Sequence, residues 1–79
     1  MVDLSQVLSC LEEGDWQAAH QIVQEDDSEL ASWAHGIVHL VEGDEANARY
    51  WYRRASRPFP VATPNRVAEE ISSLRKEAR

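Results

Sequence analysis

His35, His39 and Glu42 follow one another at i, i+4 and i+7, a spacing that can place three metal-ligating side chains on one face of a helix. Imidazole and carboxylate are ligands of helix-borne zinc sites, and His20 is available as a fourth. A His-based metal-dependent enzyme is therefore one function these residue types permit. Against it, the HExxH pattern that joins two ligands to a general base is absent. On a helical wheel the three groups also point away from the apolar stripe of their own segment, so a solvated face or a second interface explains them equally well. The structural account is preferred: no metal and no cofactor is expected, and zinc is not expected to raise thermal stability.

A second constellation is basic. Four arginines, Arg49, Arg53, Arg54 and Arg57, fall within nine residues of one another and enclose Tyr50. At 100° per residue, Tyr50, Arg53 and Arg57 lie together, opposite an inward stripe of Ala48, Trp51, Tyr52 and Ala55, with Arg49 and Arg54 on the borders. An exposed aromatic ringed by guanidinium groups has the composition of a binding hot spot. The competing account is a solvated basic face that balances an acidic remainder. Arg66 and Arg75 extend the basic character toward the C-terminus, and Glu45 stands four residues before Arg49, the favourable order for a helical ion pair.

Other chemistry finds little support. Cys10 has acidic rather than basic sequence neighbours, which would not stabilise a thiolate. Asp26 and Asp27 lie in a polar turn where solvation is the default. No Gly-rich phosphate loop, nucleophile elbow or kinase element occurs. The expectation is a protein that is not an enzyme.

The elements that must position these residues are helices. Leu4, Val7, Leu8 and Leu11 share one helical face, and the apolar periodicity predicts helices over 3–13, 16–25, 28–42, 45–56 and 64–78, with no strand. Gly14-Asp15 and Gly43-Asp44 each supply a helix stop followed by an N-cap. Asp27 or Ser28 is available to cap the third helix, the most buried by composition, and Gly36 inside it marks close approach of a neighbour. Three prolines between Arg57 and Pro64 interrupt the helical pattern, after which Thr63 is expected to cap and Pro64 to open the last helix. Trp16, Trp33, Trp51, Tyr52 and Phe59 are assigned to the core.

The turn is repeated. Glu13-Gly14-Asp15 with Ala19 aligns with Glu42-Gly43-Asp44 with Ala48 at an offset of 29 residues. Such a period marks helical hairpins that bury their apolar faces by stacking. The fold class expected is all-α: one domain over 1–79, with hairpin one at 3–25, hairpin two at 28–56, a Pro-rich connection at 57–63 and a C-terminal capping helix at 64–79. Trp33-Ala34-His35-Gly36, Glu42-Gly43-Asp44 and Asn47-Ala48-Arg49-Tyr50-Trp51-Tyr52-Arg53-Arg54-Ala55 together resemble the second half of a Sel1-like repeat in the tetratricopeptide superfamily. The likeness covers about residues 30–56 well and residues 4–25 only through the turn. The block from Glu42 to Ala55 is also similar to one in short uncharacterised bacterial and fungal proteins. The first resemblance implies an adaptor surface without catalytic residues; the second implies no particular activity.

Charge narrows the partner. The chain of 79 residues carries a net charge of −6, with eleven of its fourteen acids in residues 1–45 and all eight Lys and Arg in residues 49–79. Net negative charge disfavours nucleic acid, whose affinity comes mainly from neutralised phosphates. The favoured function is a protein-interaction module whose Tyr50, Arg53, Arg57, Arg49 and Arg54 receive an acidic protein or peptide. One variant is head-to-tail self-association through the acidic half of a second copy, and the alternative is nucleic-acid or nucleotide-phosphate binding by the same arginines. One cysteine permits no disulfide within the chain, Met1-Val2-Asp3-Leu4 lacks the positive start of a secretory signal, and the charge-free run Leu30–Val41 falls short of the roughly 20 residues of a membrane span. Cytoplasmic placement without a membrane anchor is expected.

Overall fold

A computed structural model describes residues 3–78, so residues 1–2 and 79 of the expected domain lie outside the described residues. Five helices follow in order: α1 (Leu4–Glu12), α2 (Trp16–Val23), α3 (Glu29–Glu42), α4 (Glu45–Arg54) and α5 (Arg66–Glu77). Among the described residues there is no strand, and no helix is long and apolar enough to cross a membrane. The expected all-α class therefore holds, with every helix boundary within two residues of the sequence periodicity.

Each Gly-Asp pair does two jobs. Gly14 and Gly43 adopt left-handed φ of 79° and 92°, and the following Asp15 and Asp44 donate their N–H groups five residues back, to Cys10 and His39, at 2.9 Å each. This satisfies carbonyls that the ending helix leaves without partners. The same aspartates then turn their Oδ1 atoms onto the first turn of the next helix, accepting from Ala18 N–H at 3.1 Å and Asn47 N–H at 3.2 Å. Ser28 caps α3 through Ala31 N–H at 3.3 Å.

A third turn of the same kind was not visible as a glycine. Ser56, at φ 58°, is in the left-handed region; its N–H and that of Arg57 return to the carbonyls of Arg53 and Tyr52, both at 3.0 Å. α4 consequently ends at Arg54. At the other side of the proline segment, the expected start at Thr63 and Pro64 is corrected: Thr63 contributes its carbonyl to a turn closed by Arg66 N–H at 3.1 Å, and α5 begins at Arg66.

α3 is the axis of the molecule. α1, α2, α4 and α5 all pack on it, and every residue from Ala31 to Leu40 is buried. Small side chains at Ala31, Ser32, Ala34 and Gly36 let neighbours approach around the helix, as expected for a helix without a fully polar face. The closest approach is at Gly36, where an added Cβ would stand 2.5 Å from Tyr52 Cδ1 of α4. α5 lies against α3 and α1. It is also tied to the second hairpin by Glu70, whose Oε1 accepts from Tyr52 Oη–H at 2.7 Å and from Trp33 Nε1–H at 3.0 Å. Val7, Leu8, Val23, Ile37, Val38 and Leu74 complete the centre of the core. Of the aromatics assigned to the core, Trp33 and Tyr52 are buried, whereas Trp16, Trp51 and Phe59 are only half-buried.

Candidate functional site

The arginine constellation divides in two. Arg49, Arg53 and Arg57 line one open cavity of about 250 Å³, together with Tyr52 and Phe59. Arg49 and Arg53 come from adjacent turns of α4, and the left-handed Ser56 brings Arg57 round to the same cavity. Phe59, delivered by the proline segment, meets the Tyr52 ring edge-to-face at 5.5 Å between centroids, and the Arg49 guanidinium lies 4.2 Å from its centroid. Tyr50 and Arg54 lie outside this group. Arg54 donates to Tyr50 Oη at 3.3 Å and extends over Trp51, 5.1 Å from its centroid. Tyr50 is exposed, as expected, at 44%.

Three expectations about charge are overturned. Arg57 does not project freely; it is half-buried, its guanidinium 3.7 Å from the centroid of the buried Trp33 ring. Glu45 does not pair with Arg49 but reaches Arg66 at 3.1 Å, because Arg49 is drawn to Phe59 while α5 brings Arg66 alongside. Arg75 is paired with Glu12 of α1 at 2.9 Å, so the α5 arginines do not extend a free basic face. Among the described residues, Arg49, Arg53, Arg54 and Arg57 form no ion pair with a carboxylate.

For the histidines the solvated alternative is overturned and the second interface holds: His35 and His39 are 4% and 9% exposed. Their side of α3 is covered by α2, which contributes His20, and by Trp51 of α4. The His35 ring stacks on Trp51 at 3.8 Å and 9°, with His20 edge-on to it at 4.8 Å and His39 stacked beside it at 5.1 Å. One ring nitrogen from each histidine lies within 4.8 Å of one from each of the others. Glu42 is not a third member of this group. Its Oε1 meets His39 Nδ1 at 2.8 Å. His35 Nδ1 is buried without a hydrogen-bond partner. Burial, and then the neighbouring His20, His39 and Arg54, lower the His35 pKa to about 4, so this ring is neutral near neutral pH.

A second possible ligand set, His39, Glu42 and Asp44, also has its donor atoms within 4.8 Å of one another. Asp44 is already used there: Asn47 donates its backbone N–H to Oδ1 and its side-chain amide to Oδ2, which holds the carboxyl below its ordinary pKa. Another cavity, about 630 Å³ between α1 and α5, is lined by Leu11, Val67, Ala68 and Ile71 with Arg75 and Glu12 at its edge, and contains none of the candidate histidines or α4 arginines.

Sequence inspection did not single out Glu70, and it offered His20 only as a fourth ligand rather than as a member of a buried cluster. Glu70 sits beside Ile71 at the edge of the α5 stripe, and only the packing of α5 on α3 makes it an acceptor for two core aromatics. Comparisons of the chain with protein-family models, curated proteins and solved structures found no match.

Proposed function

We propose that the chain is a non-enzymatic interaction module, a scaffold of tetratricopeptide or Sel1-like hairpins, that receives an acidic segment of another protein in the cavity of Arg49, Arg53 and Arg57. The observation that carries this reading is that none of these three arginines has a carboxylate partner among the described residues, in a chain whose net charge is −6. Like charges gathered around one cavity repel one another, and an anionic occupant relieves that repulsion. Phe59 and Tyr52 line the same cavity, so a peptide carboxylate can meet guanidinium groups while its methylenes lie on aromatic carbon. The repeated Gly-Asp turns and the two hairpins support the scaffold part of the reading. The unpaired Cys10 suits a reducing, cytoplasmic setting.

A labelled oligoglutamate peptide tests the site by fluorescence anisotropy, with oligolysine as the control. Wild type is expected to bind with an affinity that falls with salt, and Arg49→Glu with Arg53→Glu to abolish binding while the circular dichroism spectrum is unchanged. Arg57 is left intact because its stacking on Trp33 makes it part of the fold. Unaltered binding by the folded double variant refutes the site. Polyphosphate or single-stranded nucleic acid binding more tightly than any acidic peptide would replace the reading with phosphate recognition. A wild-type dimer that becomes monomeric in the double variant would identify the acidic half of a second copy as the occupant.

A further inference from the structure

We propose that His20, His35 and His39 form a binding site for one divalent transition-metal ion of the zinc class, linking hairpin one to hairpin two. The site does not depend on the arginine cavity or on the function assigned to it.

The first support is geometry. A tetrahedral zinc ion with bonds of about 2.0–2.1 Å holds its imidazole nitrogens roughly 3.3 Å apart. The three donor nitrogens here already lie within 4.8 Å of one another, one from α2 and two from adjacent turns of α3. Closing the remainder requires the rings to move together by up to about 1.5 Å, a distance on the scale of side-chain rotation.

The second support is independent of the first. His35 is 4% exposed, and its Nδ1 has no hydrogen-bond partner. Buried polar nitrogens are nearly always paired, and leaving one desolvated and unpaired costs about 1–3 kcal/mol. Aromatic packing alone gives no reason to retain such an atom. A metal bonded at Nδ1 would, because it uses the lone pair that the protein leaves idle. Trp51, stacked on the ring at 3.8 Å, holds His35 in place.

The third support lies behind the ligands. Metal-bound histidines commonly donate their other ring N–H to a carboxylate, which fixes the tautomer and orients the ring. Glu42 Oε1 stands 2.8 Å from His39 Nδ1, leaving Nε2 of that ring for a ligand.

Ligand chemistry narrows the ion. Three neutral imidazoles suit zinc, cobalt, nickel or copper, whereas magnesium and calcium require oxygen donors. The ion would keep its full charge, with Glu42 favouring it and the Arg54 guanidinium near His35 opposing it. Three protein ligands leave a fourth coordination position, reached past the half-buried His20. Bound there, the ion would connect α2 to α3 by direct bonds.

The test uses untagged full-length protein stripped with EDTA. Calorimetric titration with zinc chloride is expected to give one ion per chain with micromolar or tighter affinity, and zinc to raise the melting temperature where millimolar magnesium does not. Cobalt(II) should give the intense visible absorption of a four-coordinate site. His20 is the most accessible of the three, so His20→Ala is the variant best able to keep the apo fold, verified by circular dichroism and apo melting temperature. It should lose both the cobalt band and the zinc-induced shift. Glu42→Gln should weaken zinc about 10–100-fold without abolishing it. The proposal fails if wild type binds no zinc at micromolar concentration, or if His20→Ala retains wild-type affinity. It also fails if Glu42→Gln abolishes binding while His20→Ala does not, which would place the ion at His39, Glu42 and Asp44.

Discussion

On α3, His35 and His39 stand one helical turn apart; on α4, Arg49 and Arg53 are spaced the same way. Both pairs lie off the apolar stripe of their own helix, yet the histidines are buried and the arginines are exposed. The difference lies in the number of neighbours. α3 is packed on by all four other helices, so the side of its wheel that carries the histidines meets α2 and α4 rather than water. α4 packs its length on α3 and otherwise reaches only α5, through Tyr52–Glu70 and Glu45–Arg66, so the side that carries Arg49 and Arg53 stays open. A helix's own amphipathicity therefore ranks its faces, while its place in the bundle decides whether the polar face is wet. Arg57 sharpens the point: four residues beyond Arg53 and of the same type, it is drawn over the buried Trp33 ring because the chain has turned at Ser56.

The contrast depends first on the tight α3–α4 seam, which makes Gly36 its most sensitive position. Gly36→Ala gains up to about 1 kcal/mol of helix propensity but sets a Cβ against a Tyr52 ring held in place by Glu70, an overpacking cost of about 1–3 kcal/mol or more. A net loss of about 2 kcal/mol is expected in urea denaturation. Equal stability would mean that the seam is looser than described and that α3 is not enclosed.

Tyr52→Phe comes next, with an expected loss of about 1.5 kcal/mol, since one of the two donors to the Glu70 carboxylate disappears. Its pH dependence offers a second check. Burial, then the hydrogen bond to Glu70 and its negative charge, raises the Tyr52 pKa above its ordinary value of 10.0. The unfolded chain therefore releases this proton first as pH rises. The Tyr52 contribution to wild-type stability is complete below about pH 10 and declines above it, so the gap between wild type and the Phe variant should narrow in alkali.

The left-handed turns make a paired test of how α3 and α4 end. Gly43→Val should lose at least about 1 kcal/mol of stability, because a β-branched residue is strained at φ 92°. Ser56→Gly should gain about 0.5–1 kcal/mol by relieving the corresponding strain at φ 58°. Thermal melts of the two variants should shift in opposite directions, and a loss in Ser56→Gly would show that the turn beyond α4 is misplaced.

The smallest effect falls on the open rim. Arg53→Ala should change stability by no more than about 0.5 kcal/mol, as at most exposed positions, whereas Arg57→Ala should cost about 1 kcal/mol through loss of its stacking on Trp33. Equal effects would erase the distinction between the two arginines.

Much of the fold was legible because it is local. Gly14-Asp15 and Gly43-Asp44 announce their turns, since only glycine takes a left-handed φ freely and aspartate accepts from the N–H groups of the following helix. Ser56 was missed for the same reason in reverse: serine at a left-handed position has no compositional signal. The candidate sites were legible only as residue types. Arginines at 49, 53 and 57 suggested a shared face, but nothing local indicated that Phe59 would lie under Arg49 or that Arg57 would settle on Trp33.

What the sequence determined by itself is the set of helices, the caps that open α2, α3 and α4 and most of each inward stripe, because these follow from backbone sterics, nearby hydrogen bonds and periodicity within a few turns. Tertiary structure alone decided that His20 joins His35 and His39, that Glu70 receives both Trp33 and Tyr52, and that Glu45 serves Arg66 rather than Arg49. Those contacts join residues 15 to 37 positions apart. Their geometry depends on how whole helices are seated against α3, and that seating is set by the summed packing of the core rather than by any short stretch of chain.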